Sequence, residues 1–132
     1  MRKKIVLVSA FVLIALLTIV AFKLCAVSLD KKAQGIIRYK EAGEFCSAEL
    51  SEKEVKSVLS VLNGKMMYSD IPACGFDYDH LITIDGVTFA MTVDSCCKVK
   101  NCDNGKFINI TEKEKGILRA LFEMRGVTFL WG

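Results

Sequence analysis

The chain has 132 residues, 52% of them apolar and 25% charged, with a formal net charge of +3; that length holds one core of about 100 residues and leaves little for a second domain. The excess charge belongs to the N-terminus, because the 104 residues from Leu29 onward carry 14 Lys and Arg (18 less Arg2, Lys3, Lys4 and Lys23) against 15 Asp and Glu, a net charge of −1. This balance lacks the electrostatic footprint of a nucleic-acid binder, and no basic stripe with interleaved aromatics runs through the sequence.

Ile5 to Phe22 is an unbroken run of eighteen residues without charge, Gly or Pro, preceded by Arg2-Lys3-Lys4 and closed by Lys23. As a helix it is roughly 27 Å long, close to the ~30 Å hydrocarbon thickness of a bilayer. A cleavable signal has an apolar core of about 7 to 15 residues followed by a small-x-small site, which Ala26-Val27-Ser28 offers before Leu29. The run is longer than such a core and nothing breaks the helix before the site. The expectation is a retained single-pass anchor over residues 1–28, with secretion after cleavage behind Ser28 as the alternative. Phe22-Lys23-Leu24 ahead of Cys25 lacks the small residues of a lipoprotein signal. Orientation is close to balanced by Lys and Arg alone, since Lys23, Lys31 and Lys32 offset Arg2, Lys3 and Lys4. Five of the six cysteines lie behind the helix, a density that suits an oxidising compartment, so the remainder is expected outside the cytosol.

Residues 29–35 read as a polar linker, and Ile36 to Tyr39 as a first strand. Ser51-Glu52-Lys53-Glu54 has the spacing of a capping box. Val55, Val58, Leu59 and Leu62 follow as one apolar stripe, and Asn63-Gly64 supplies a left-handed stop. His80 to Ile84 and Val87 to Val93 flank Asp85-Gly86 and predict a β-hairpin with a two-residue turn. The turn fixes the register: Ile84 opposite Val87, Ile82 opposite Phe89 and His80 opposite Met91 on the core face, Thr83 opposite Thr88 and Leu81 opposite Ala90 on the other. Lys98 to Lys100 and Lys106 to Ile110 fit a further hairpin around Asn104-Gly105. Thr111-Glu112-Lys113-Glu114 repeats the capping box, followed by Ile117, Leu118, Leu121, Phe122 and Met124, with Gly126 as the stop. Val127 to Trp131 reads as a terminal strand. The likeness of the two helices is confined to caps and stripes, which any amphipathic helix needs, and does not establish a duplication. Residues 36–132 are therefore expected to form a single α+β domain of two layers, two amphipathic helices on one face of an antiparallel sheet.

The reactive constellation is Cys46, Cys74, Cys96, Cys97 and Cys102. In a small extracytoplasmic domain it reads as disulfides, each contributing about 2 to 4 kcal/mol. Five cysteines cannot all pair internally, and connectivity is not deducible from spacing. The favoured pairs are Cys46 with Cys74, and Cys96 or Cys97 with Cys102 across the second hairpin. The alternative is a zinc site from Cys96, Cys97 and Cys102 with Cys74 or His80, but the paired C-x₂₋₄-C knuckles of structural zinc are absent. A redox site would need C-x-x-C at a helix start, and the chain has none.

His80 is the sole histidine, and a Ser or Cys nucleophile would need it as base; its place in a core-facing row favours a structural role. Asp77-Tyr78-Asp79 resembles a calcium ligand pair without the spacing of an EF-hand, and Asn109-Ile110-Thr111 fits a glycosylation acceptor. Trp131, if on an edge strand, is a contact residue for a partner. The sequence thus leads to a non-catalytic binding module, tethered through residues 5–22 or secreted, disulfide-stabilised, without cofactor or metal, whose partner is an unspecified protein or small ligand and not nucleic acid. The alternative is a metal- or thiol-dependent protein using Cys96, Cys97 and Cys102.

Overall fold

The computed structural model describes residues 1–70 and 72–130, with Lys23 described by its backbone alone. An apolar helix α1 (Arg2–Cys25) leads into β1 (Gly35–Glu41), β2 (Glu44–Glu49), α2 (Glu52–Leu62), β3 (Phe76–Ile84), β4 (Val87–Thr92), β5 (Lys98–Asn101), β6 (Phe107–Asn109) and α3 (Glu112–Glu123). The strands form one six-stranded sheet in the order β2-β1-β3-β4-β5-β6, with every neighbouring pair antiparallel. The domain is the expected α+β arrangement, with α2 and α3 packed on one face of the sheet.

Both helices start at their capping boxes. Ser51 accepts from the Glu54 N–H while the Glu54 carboxylate accepts from the Ser51 N–H, and Thr111 and Glu114 repeat the exchange. Each N3 carboxylate also holds an ion pair, Glu54 with Arg125 and Glu114 with Lys65, both at 2.9 Å. The hydrogen bond from Arg125 holds the Glu54 carboxyl below the usual carboxylate range. The pairs join the start of one helix to the residues just past the end of the other, so α2 and α3 lie antiparallel. Their stripes bury Val55, Val58, Leu59, Val61 and Leu62 from α2 and Leu118, Leu121 and Phe122 from α3 against Ile37, Ile82, Ile84, Phe89, Met91, Val99 and Ile108 of the sheet. Met124 falls just past the last helical residue and is 65% exposed, not a member of the stripe.

The β3–β4 register is as expected from Ile84–Val87 to Leu81–Ala90, after which five steps along β3 to Phe76 match two along β4 to Thr92. The three additional residues form a bulge, so His80 does not pair with Met91. Asp77 stabilises this bend by accepting from the Asp79 N–H at 2.9 Å.

Three further expectations are amended. The first strand is half of a hairpin: β1 turns through Ala42 and Gly43, both at positive φ, into β2, which the sequence reading passed over because Ala-Gly is a weaker turn signal than Asp-Gly. The 29–35 segment is anchored at both ends, since Val27 and Leu29 are buried and Gly35 opens β1, while Asp30, Lys31, Lys32 and Gln34 between them are exposed. The backbone of residues 25–29 is hydrogen-bonded to residues 63–67 through Met67 N–H to Cys25 O at 2.9 Å, Val27 N–H to Lys65 O at 2.8 Å and Gly64 N–H to Val27 O at 2.9 Å. Asn63 adds a two-way clasp on the Leu29 backbone. Tyr68 in turn bridges Phe107 of β6. The end of α1 is thereby tied to the sheet through Met66–Tyr68. Third, Val127 to Leu130 form no strand; Phe129 packs edge-on against Phe122 and His80, with centroids 5.8 and 5.1 Å apart. Trp131 lies outside the described residues.

Phe89 is 3% exposed, so Phe89→Ala is expected to destabilise the domain by about 3 to 5 kcal/mol. Thr88→Ala on the opposite face gives up its 3.0 Å hydroxyl contact with Thr83 and should cost about 1 kcal/mol or less. Chemical denaturation of the full chain in detergent compares them; equal losses would contradict the layer assignment.

Candidate functional site

The structure pairs Cys74 with Cys96, their Cα atoms 6.5 Å apart, in place of the expected Cys46–Cys74 and Cys96- or Cys97-to-Cys102 bridges. Antiparallel pairing is the cause. Phe76 lies opposite Thr92 and the Val93 N–H donates to Gly75 O at 3.0 Å, so the residues before β3 and after β4 meet. Cys97 begins at the same end of β5, whereas Cys102 lies at the other end, about 16 Å of extended strand away, where its N–H donates to Thr88 O. The supposed Cys96, Cys97, Cys102 cluster is therefore not assembled. Cys46, Cys97 and Cys102 are free, as is exposed Cys25, and burial pushes the Cys102 thiol above its ordinary range. Among the described residues, a different trio, Cys74, Asp94 and Cys96, brings possible metal-ligand atoms within 4.8 Å of one another.

Beside the disulfide sits a group the sequence reading missed. Lys115 on α3 is 7% exposed. Its Nζ donates to Asp94 O at 2.6 Å, Cys96 O at 2.8 Å and Thr92 Oγ1 at 3.2 Å, and the Thr92 hydroxyl itself donates to Cys96 O. Burial pushes the amine below its ordinary range, with the Cys97 thiol and the Asp94 carboxyl acting against that. Asp94, Ser95, Cys97, Glu112, Gly116 and Arg119 line a half-open hollow of about 280 Å³ over it. An ammonium has three protons to donate, and these three acceptors take them, which makes Lys115 a clasp on the 94–96 loop. The signal was available: 115, 118 and 122 lie at helical spacing, so a lysine stood on the apolar stripe.

His80 is held by Asp77, Nδ1 to Oδ2 at 2.7 Å, with side chains only 14% and 9% exposed. Its ring meets Phe122 and Phe129 edge-on, so it stands between the bulge, α3 and the C-terminal tail. Asp79 instead reaches Lys40 at 3.6 Å, which separates the two carboxylates of the supposed calcium pair. Asn109 accepts from Lys98 Nζ at 2.7 Å, and Thr111 caps α3.

The face of the sheet turned away from the helices carries what no linear stretch shows. Arg38 pairs across to Leu81, Leu81 to Ala90, Ala90 to Lys100 and Lys100 to Phe107, so one transverse row sets two cations beside a buried apolar floor. Arg38 and Lys40 lie over the Phe45 ring, at 4.9 and 5.7 Å from its centroid. Lys98 lies 5.0 Å over Phe107, and Lys100 5.7 and 5.4 Å from Phe76 and Tyr78; Lys100 also donates to the Tyr78 hydroxyl at 2.9 Å. Positive charge from β1 and β5 is thus held extended on aromatic platforms. The pattern escaped the sequence reading because its members are separated along the chain and meet only through strand pairing.

Lys115→Met keeps the side-chain length but takes the ammonium donor from the Asp94 carbonyl and leaves the Cys96 carbonyl with the Thr92 hydroxyl alone, and should cost about 2 to 4 kcal/mol. Lys113→Met, on the exposed side of the same turn, should stay within about 0.5 kcal/mol. Denaturant midpoints decide, and a neutral Lys115→Met would show that the clasp carries no stability. Against family models, curated proteins and solved structures, no match to this chain was found.

Proposed function

We propose that the chain is a membrane-tethered, extracytoplasmic binding module without catalytic activity, which takes an acidic segment of a protein partner on the open face of its sheet. The observation that carries this reading is the cation–aromatic array of Arg38, Lys40, Lys98 and Lys100. Cations stacked on rings keep their charge while losing little further freedom on binding, so they suit recognition of carboxylates. A short acidic segment fits better than a nucleic acid, because the domain as a whole is near neutral and Asp79 sits within the array at Lys40. The reading of α1 as a retained anchor draws support from the hydrogen bonds of residues 25–29 to Asn63–Met67: cleavage behind Ser28 would strip partners from that segment and uncover the surface beneath Val27.

The Cys74, Asp94, Cys96 trio favours a second reading, in which the reduced protein holds a zinc ion through two thiolates and a carboxylate. In an oxidising compartment the same sulfurs form the disulfide, which supports the binding-module reading.

Non-reducing intact-mass analysis and peptide mapping of membrane-extracted protein should find a chain that keeps residues 1–28, with Cys74 linked to Cys96. A mature species starting at Leu29 in the medium would establish secretion, and reduced Cys74 and Cys96 with one bound zinc would establish the metal reading. A glutamate-rich peptide titrated into the full chain should bind in a salt-sensitive way. Binding should fall at least tenfold in Arg38→Glu/Lys100→Glu, and a glutamine version of the peptide should bind as weakly. Undiminished binding after charge reversal, or tighter binding of an oligonucleotide than of the peptide, would overturn the assignment.

A further inference from the structure

The two edges of the sheet are unlike. At β6 the edge is closed by Tyr68, which exchanges backbone hydrogen bonds with Phe107 at 2.8 and 3.0 Å. At β2 the turn decides what is left open. Glu41 and Glu44 flank the two-residue turn as a hydrogen-bonded pair, and the ladder then alternates. Cys46 and Ala48 aim their backbone groups at β1, while those of Phe45, Ser47 and Glu49 aim away. Two contacts fit this alternation: the Leu50 N–H donates to Gly35 O at 2.8 Å, and the Arg125 guanidinium reaches the outward Glu49 carbonyl at 3.5 Å. No described residue takes the outward N–H and C=O of Phe45 and Ser47. Sheets protect such an edge with Pro, charged side chains or a bulge; β2 has no Pro and no bulge, and its two charges, Glu44 and Glu49, sit at its ends, clear of Phe45 to Ala48.

We propose that β2 pairs antiparallel with β2 of a second copy about a two-fold axis at Cys46, and that the two Cys46 thiols close an intermolecular disulfide. Outward-facing residues must oppose outward-facing residues, which leaves few registers. Centring on Phe45 draws Gly43, at φ +85 in the turn, into the ladder. Centring on Ser47 sets Phe45 against Glu49, whose carbonyl Arg125 already holds. Centring on Cys46 pairs Phe45 with Ser47 of the second copy twice over, about four backbone hydrogen bonds. It also opposes Glu44 to Ala48, so no like charges meet directly. Cys46 then faces its own copy at a non-hydrogen-bonded position, where Cα atoms stand about 4.5 Å apart, inside the span of a disulfide.

Two further features agree. Cys46 is a free, half-buried thiol, and an odd number of cysteines behind the helix leaves a thiol without an internal partner, as intermolecular pairing requires. The anchor also confines both copies to one surface, which raises their effective concentration. In closing the bond, two thiols give up two protons and two electrons to a disulfide oxidant, which is reduced to its two thiols.

Full-length chain in detergent micelles, equilibrated with oxidised glutathione, tests this. Non-reducing electrophoresis should show a dimer that a reducing agent splits, and mapping should recover a peptide pair linked through Cys46. Cys46→Ser should run as monomer, whereas Cys25→Ser, Cys97→Ser and Cys102→Ser should each still give the dimer. Ser47→Pro removes an outward N–H that no described residue takes, and should reduce the covalent dimer at least tenfold while Cys74 and Cys96 remain linked. A monomeric parent, a dimer that survives Cys46→Ser, or undiminished dimer in Ser47→Pro would overturn the proposal.

Discussion

The Asp85-Gly86 turn and the register it imposes on β3 and β4 govern the rest of the domain. With Ile84 against Val87 and Ile82 against Phe89, these four side chains fall on the helix-facing side, and a shift of one residue would turn that set to the other face. β1 pairs onto β3 and β5 onto β4, so both outer strands inherit the same facing. The helices have one apolar stripe each, and this face is where both stripes can be buried together. Arg38, Lys40, Lys98 and Lys100, with Thr83 and Thr88, are left on the other face by the same alternation.

The hairpin is regular at its turn and irregular at its open end, and the polar interior of the protein collects at that irregularity. The bulge between Phe76 and Leu81 turns Asp77 and His80 toward α3. Beyond it, the Cys74–Cys96 bridge and the Lys115 ammonium bind the 94–96 loop from two sides. A buried lysine is tolerated there because three oxygens replace its water, and in return it supplies the Asp94 carbonyl with a donor and the Cys96 carbonyl with a second one beside the Thr92 hydroxyl. His80 and Lys115, the two groups that a search for chemistry would single out, are both engaged in closing this end of the fold.

The capping carboxylates give the helical layer a comparable economy. Glu54 and Glu114 each cap their own helix and hold a cation from beyond the end of the other, so helix start and helix pairing depend on the same two side chains. The exit of α1 is fixed in similar fashion, because Cys25 to Leu29 are hydrogen-bonded to Asn63–Met67 and Met66–Tyr68 lead on to β6. The domain is thereby hydrogen-bonded directly to the last residue of its apolar helix and to Val27 and Leu29 among the four residues that follow.

Features whose causes are local were legible in the sequence alone. The apolar run of α1, both capping boxes with their stripes, and the Asp-Gly hairpin with its register rest on residues within one or two turns of each other, and from them the two-layer α+β arrangement follows. The hairpin of β1 and β2 was only half seen, because Ala42-Gly43 needs a non-glycine residue at positive φ, which the sequence does not advertise. The disulfide, the Lys115 clasp, the docking of residues 25–29 and the cation–aromatic face were decided by tertiary structure. Each joins groups on different elements, Cys74 with Cys96, Lys115 with Asp94, Val27 with Lys65, Arg38 and Lys100 across one row. Their closeness comes from strand order and from the bulge, both of which are set by burial of the whole core and not by any neighbouring residue.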